Sequence, residues 1–442
     1  MGCCPLWCDV SIVRPHAKSV VDDHVHVIGA GLAGLSAAVR LVKAGVKVSI
    51  YEAGSEAGGR CRSFFDSRLG CRIDNGNHLI LSSNHAVMDY LQIIEAENTL
   101  HVHEEAVIPF VDLEEDIRWK ILLKKRLGLW ALLFPSQRVP GTRLIDYVTA
   151  LRLVWAADDK AIGQCLKTSG SLWRRFWSPL CVSVLNTDPA LASAKLLRAV
   201  VWETFISGPA VTKPLVPKDG LSETFVNPAL TFLKEHNADF KFNFSVRKLD
   251  YSNGRVARLL GRDSAVDVAR RDMVVLALPP FATQKLLPEL GVPDKYEPII
   301  NGHFRLRELE HERSFIGIVG GTAEWLFWRD NIVSTTVSSA KALLNKTNEE
   351  LAMRLWCDIS RVFSLRQAEL PPYRIIREKR ATFTQTPEQV QKRPKMATAF
   401  ANLWLAGDWI DTGLPATIEG SVRSGEHAAR AVIKNIKIYQ GP

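Results

Sequence analysis

The residues best suited to chemistry in this chain are three glycines, Gly29, Gly31 and Gly34, with an acid, Glu52, placed 18 residues after the last of them. Written out, Gly29-Ala30-Gly31-Leu32-Ala33-Gly34 has the spacing G-x-G-x-x-G. In such a run the first glycine permits a tight turn from strand to helix. The second lets backbone approach a pyrophosphate, and the third lets the helix pack close to the sheet. The pyrophosphate then lies at a helix N-terminus, where unpaired N–H groups and the helix dipole favour negative charge. A carboxylate at Glu52 can accept both hydroxyls of a ribose. The chemistry indicated is dinucleotide binding.

Glycine clusters recur by chance at helix starts, so the flanking elements decide the matter. Val25-His26-Val27-Ile28 is an apolar strand leading into Gly29, and Ser36 to Val42 continues a helical pattern that Gly45 ends. Val46 to Tyr51 then reads as a second strand, finishing at Glu52. The three elements and the acid fit one strand–helix–strand unit.

The next segment separates FAD from a nicotinamide. Glu52-Ala53-Gly54-Ser55-Glu56-Ala57-Gly58-Gly59-Arg60 resembles the double-glycine motif that follows the second strand in the amine-oxidase and carotenoid-desaturase superfamily. There Gly58 and Gly59 let a second loop close over the cofactor, and Arg60 neutralises pyrophosphate charge. Near the other end, Asn402-Leu403-Trp404-Leu405-Ala406-Gly407-Asp408 reads as a short apolar strand ending in Gly-Asp, and a helix begins near Thr417 and Ile418. The same superfamily completes its FAD site with such a segment. By that resemblance Asp408 bonds a ribityl hydroxyl, and the helix start at Ile418 points N–H groups at the flavin. Gly420 and Gly425, costly inside a helix, suggest close backbone approach. Val246 matches the position whose backbone meets the adenine in relatives, and Asp272 to Pro280 reads as a buried strand returning to the sheet.

The expected fold is therefore α/β, a Rossmann-type FAD-binding domain with an interleaved α+β substrate domain. Residues 1–24 form an N-terminal extension. Residues 25–85, 211–285 and 396–437 build the cofactor domain, and 86–210 and 286–395 build the substrate domain.

Composition agrees with a packed globular chain: 442 residues, 47% hydrophobic and 23% charged. The net charge of +9 is read either as a basic surface that aids solubility or as attraction to anionic lipid head groups. No zinc finger, aromatic RNA-binding signature or dense basic tract supports a nucleic-acid partner. The eight cysteines form neither a CxxC pair nor a metal-type array, which points to free thiols in a reducing cytoplasm and to no metal. Residues 1–24 are interrupted by Pro5, Asp9, Arg14 and Pro15 and do not read as a signal peptide. Leu6 argues against myristoylation of Gly2. No apolar run is long enough to span a bilayer.

Within the superfamily, several segments resemble the hydroxysqualene dehydroxylase family of squalene and hopanoid biosynthesis. They include Asp74-Asn75-Gly76-Asn77-His78-Leu79, Trp177-Ser178-Pro179-Leu180-Cys181, Gly220-Leu221-Ser222-Glu223 and Gly407-Asp408-Trp409-Ile410-Asp411-Thr412-Gly413-Leu414-Pro415. The resemblance runs from about residue 25 to about 430, and is weaker over His103 to Leu133. It implies a polyisoprenoid substrate and a hydride from reduced FAD displacing an allylic hydroxyl, with an external electron donor, since there is no second G-x-G-x-x-G unit. Such chemistry asks for help to the departing hydroxyl and for exclusion of water. Asn77 and His78, beside Asn75, are the first candidates: His78 as a proton source near neutral pH, or as a structural hydrogen-bond partner, and Asn77 as an orienting amide. Asp411, Arg305 and Arg380 are weaker ones. Trp177, Trp325 and Phe327 are read as lining an apolar pocket or as ordinary core. Ile117 to Pro135, which mixes cations with Trp and Leu, reads as an interfacial amphipathic helix or a buried one with snorkelling lysines. A carotenoid-type desaturase is the nearest rival. An amine oxidase fits less well, because the C-terminal motif carries no cysteine for covalent flavin attachment, and a non-catalytic flavoprotein stays open. Oligomeric state is not legible.

Overall fold

A computed structural model describes residues 23–123, 134, 137–206, 211–308, 312–365 and 369–440. Two sheets organise these residues, and each is built by a different sequence logic.

The first sheet has five parallel strands, in the spatial order Asp239–Lys241, Lys47–Tyr51, His24–Ile28, Met273–Leu276 and Leu403–Leu405. Its central strands are short continuous apolar runs, as expected for strands covered on both faces. Met273–Leu276 is wholly buried. The helix Leu32–Lys43 connects the two strands of the glycine unit, and the helix Ile418–Gln440 lies against it. Gly425 is the point of contact. A Cβ there would overlap the Ala33 carbonyl oxygen and come within 2.9 Å of the Ala37 amide, so only glycine lets the two helices meet. The Ser36 hydroxyl adds a bond, donating to the Val422 carbonyl at 2.8 Å. The close approach expected of Gly420 and Gly425 is present.

The second sheet has seven strands, ordered Tyr373–Phe383, Tyr296–Arg305, Ile332–Val337, Trp325–Arg329, Ser314–Val319, Val107–Asp112 and Ile117–Leu122. Neighbours are antiparallel except Val107–Asp112 against Ser314–Val319. Alternation sorts its side chains. Ile300, Phe304, Leu326, Val333 and Val337 form one core with Leu351, Leu355 and Ile359 of the helix Asn348–Val362. That helix is started by a capping box in which Thr347 and Glu350 satisfy one another's backbone N–H groups. The residues between the apolar ones, Asn301, His303, Ser334 and Thr336, point to the other face, toward the segment 74–78.

The α/β class and the interleaving of the two units are as the sequence predicts. One expectation is corrected. Ile117–Leu122 is a strand and not the start of a helix, because Trp119 alone is buried between exposed Arg118 and Lys120, a period of two. The remainder of that segment, apart from Leu123 and Phe134, lies outside the described residues, as does the extension 1–22.

Candidate functional site

At the C-terminal edge of the parallel sheet the chain turns sharply. Gly29 has φ +103°, and a Cβ on it would sit 2.5 Å from the Ala277 carbonyl oxygen. A Cβ on Gly34 would overlap the Gly29 carbonyl, which binds turn and helix into one unit. Beside Gly31, by contrast, nothing lies within 4 Å of the Cβ position. Gly31 also caps the helix Leu32–Lys43, with no side-chain cap and no acid in the first turn. Unpaired N–H donors and the positive end of the dipole therefore face open space, which is what an anion requires.

The Glu52 carboxylate flanks this opening. One oxygen accepts from the Ala30 amide and the other from the Gly54 amide, both at 2.8 Å, which fixes the group and leaves further lone pairs for hydroxyl donors. Ala53 is exposed next to it, and Ala33 lies beneath, against Gly425. The second glycine loop is laid on the first: the Gly58 amide donates to the Ala30 carbonyl at 2.8 Å, and Gly59 abuts the Gly31 Cα. Val246 is buried in the same apolar cluster as Ile28 and Tyr51. These groups fit an adenine dinucleotide.

Two residues with separate tasks in the sequence reading meet here. Arg60 donates from Nη2 to both Asp408 oxygens, at 2.8 and 2.9 Å, and from Nη1 to the Ala381 carbonyl. The Asp408 charge raises the Arg60 guanidinium above its ordinary value. Gly407 holds the turn before Asp408 through its amide, which donates to Ser424 Oγ at 2.8 Å. Thr417 Oγ1 accepts from the Gly420 amide at 3.1 Å at the start of the closing helix, where Ile418 is buried. Sequence reasoning missed Arg393. Its guanidinium is buried and donates to the backbone carbonyls of Trp409, Ile410 and Leu414, pinning the loop between Asp408 and Thr417. Burial lowers it to about 10. Nothing in its neighbourhood in sequence marked it.

Between the segment 73–78 and the seven-stranded sheet lies a small, partly open cavity that Asn77 and His78 both line. The loop carrying them is tied at each end. Asn75 donates to the Arg60 carbonyl at 3.2 Å, Asn301 donates to the Asn75 carbonyl at 3.1 Å, and Asn77 donates to Thr336 Oγ1 at 3.1 Å. Burial, and secondarily the Arg60 charge, lowers His78 to about 4. At neutral pH it is an imidazole, and not the imidazolium that a ready proton source requires. Phe327 lines the cavity, as do Ile73, Leu221 and Ile332. Trp177 lies in the core under the first sheet, and Trp325 packs against Phe110 while donating to Ser183 Oγ at 2.7 Å. Other charged and hydroxyl side chains that the sequence did not offer as candidates stand on the wall as well: Asp74, His303, Arg313, Ser314, Arg329 and Ser334. The weaker candidates stand elsewhere. Arg380 lies over the Phe281 ring at 4.5 Å, Arg305 donates to the Leu69 carbonyl, and Asp411 is an exposed turn residue.

At the opposite edge of the parallel sheet His24, His26 and Asp272 come together. Their rings and carboxylate are engaged with each other and with Ser49 and Tyr51.

The sheet order, the open glycine turn and the second loop define a flavoprotein oxidoreductase, and the chain belongs to the flavin-containing amine oxidoreductase family, whose model matches residues 32–433. Its cofactor is FAD. Among its relatives is the hydroxysqualene dehydroxylase of Rhodopseudomonas palustris, 44% identical over 411 residues, covering 92% of this chain and 98% of that one. The enzyme of the same name from Zymomonas mobilis is 42% identical over 404 residues, covering 91% and 97%. Of solved structures, cyclohexylamine oxidase from Brevibacterium oxydans superposes with a TM-score of 0.71 at 14% identity, over 94% of this chain and all of that one. At that identity the likeness speaks for the fold.

Proposed function

We propose that this chain catalyses the reductive dehydroxylation of hydroxysqualene to squalene. The observation that carries the proposal is identity of 42–44% with dehydroxylases of that name along nearly the whole chain. When bound, reduced FAD supplies the hydride.

The chain's own residues do the rest. Gly29, Ala30, Gly31, Ala33 and Gly34 seat the pyrophosphate on unpaired backbone donors, while Glu52 and Ala53 take the ribose and Val246 meets the adenine. Gly58, Gly59 and Arg60 close the second loop. Gly407, Asp408, Thr417 and Ile418 finish the site near the ring. In this reading the cofactor domain comprises 25–85, 211–285 and 396–437, with 86–210 and 286–395 holding the substrate. Asn77 orients the substrate oxygen, and His78 acts as a neutral hydrogen-bonding partner. The apolar wall keeps water from the reacting carbon.

The deciding experiment is anaerobic. The purified protein is photoreduced, hydroxysqualene is added, and flavin reoxidation and squalene are followed together. Squalene formed in step with reoxidation is expected. A flavin that stays reduced overturns the reading and turns attention to oxidative desaturation, which polyene absorbance would reveal.

We further infer peripheral attachment to the inner face of the membrane, where a polyisoprenoid is available. Leu144, Ile145, Val148, Leu151, Val154 and Trp155 are all exposed on two short consecutive helices beside Arg143 and Arg152, with Trp155 at 76%. Among the described residues no helix is long and apolar enough to cross a membrane. Sedimentation with anionic liposomes should retain the protein, and a Leu151→Glu, Trp155→Glu variant should stay in the supernatant. Equal recovery of both forms there counts against attachment.

A further inference from the structure

The cavity wall is apolar at Ile73, Leu221, Phe327 and Ile332, yet two guanidiniums stand among them, Arg313, which is 4.0 Å from Asp330, and Arg329. Arg329 ends the strand Trp325–Arg329, and its side chain is 19% exposed. A cation held in such a wall is costly unless oxygen atoms accept from it. Its nearest carboxylate, Asp74, is 3.6 Å away, beyond hydrogen-bond length. Asp74 cannot come closer freely, because its Oδ1 already accepts from Ser63 Oγ at 2.6 Å and from the Leu221 amide at 2.9 Å. The carboxylate thus balances and aims the guanidinium without occupying its donors.

A second group waits at the same place. His303, 1% exposed, is held at Nδ1 by Ser334 Oγ at 2.7 Å, while its Nε2 is buried and makes no hydrogen bond of normal geometry. Both His303 and Ser334 line the cavity beside Arg329.

We propose that Arg329, backed by His303, is the subsite that takes the substrate's hydroxyl oxygen and stabilises it as it leaves. In its choice of ligand this rests on the dehydroxylase reading. Arginine does not give up its proton near neutral pH, so its work is donation to an oxygen that gains charge. The carbon–oxygen bond breaks and both electrons go with the oxygen. The hydride of the proposed reaction takes its place on carbon, and the hydroxide held by Arg329 becomes water on taking a proton from solvent. Asp74 is a positioning residue for Arg329.

The test measures binding to the oxidised holoenzyme, where no turnover occurs, by the shift in flavin absorbance. Wild type should prefer hydroxysqualene to squalene by about 10- to 100-fold, the range of a hydrogen bond to a charged group. Arg329→Met should bring that ratio near one while FAD content and squalene affinity stay unchanged, and Arg329→Lys should fall between. A ratio that survives in Arg329→Met overturns the proposal. Should the variants not fold, the ketone analogue decides it on wild type, since its oxygen accepts but cannot donate. Retained preference for the ketone supports Arg329, and lost preference assigns the oxygen to an acceptor such as Asp74. A wild type that binds the alcohol selectively but never converts it leaves the subsite standing and ends the dehydroxylase reading. Conversion with an unchanged ratio in Arg329→Met does the reverse.

Discussion

The cofactor cradle and the cavity beside it are made of different material. The cradle is mostly backbone: the turn at Gly29, the open helix start at Gly31 and the second loop laid against it at Gly58. The cavity wall is side chain: Asn77, His303, Phe327 and Arg329, drawn from strands and a loop far apart in sequence. At Gly29, Gly34 and Gly58 such a site has no room for an added atom, but it asks little of residue identity beyond glycine. Side-chain sites tolerate repacking but depend on which group stands where. Substitutions in the two regions should therefore fail differently.

The largest effect is expected in the cradle. Gly34→Val places carbon on the Gly29 carbonyl, and the purified protein should carry no flavin absorbance, or fail to fold. Next comes Asp408→Asn, which removes the carboxylate from Arg60. FAD should be held about tenfold less tightly, the low end for a charged hydrogen bond, because the Arg60 side chain is 41% exposed and screened by water. Equilibrium dialysis of FAD measures it, and unchanged affinity would remove Asp408 from the site.

The cavity should reveal itself through pH. His78 and His303 are both lowered to about 4, mainly by burial. A histidine whose folded value lies below its unfolded value of about 6.5 binds more protons when unfolded. Stability from both is complete above about pH 6.5 and is lost as the pH falls from there toward 4. Thermal unfolding at a series of pH values should show that decline, and His303→Gln should make it shallower. A flat profile would mean that neither ring is held below its unfolded value. The smallest effect is expected from Thr336→Val, which takes away the hydroxyl that accepts from Asn77 and donates to Asn301 at 3.0 Å. A cost of about 1 kcal/mol follows from one such network bond, visible as a slightly lower melting temperature with FAD retained.

The same contrast explains what could be seen in the sequence. The glycines, Glu52 and the Gly407–Asp408 turn are local patterns, each readable within one strand and its neighbour. Arg329, His303 and Arg393 are single residues whose role depends on contacts outside their own segment, from Leu414 for Arg393 to the distant Asp74 for Arg329. A weak signal did exist for one of them. Asn301 and His303 are polar residues alternating with the apolar ones of a strand, which marks a face turned away from the core. The segment Ile117–Leu122 was read with the wrong period, since its Trp and cations suit a helix as well as a strand until the burial of Trp119 alone is known.

The meeting of Gly425 with Ala33 carries a consequence for how the protein is born. The ribosome makes the helix Leu32–Lys43 early, whereas its partner and the edge strand Leu403–Leu405 arrive almost four hundred residues later. Contacts of such separation form late and slowly. A nascent chain can therefore shape most of its first sheet while the second wall of the flavin pocket is still unmade, and capture of FAD waits until the helix Ile418–Gln440 has been made.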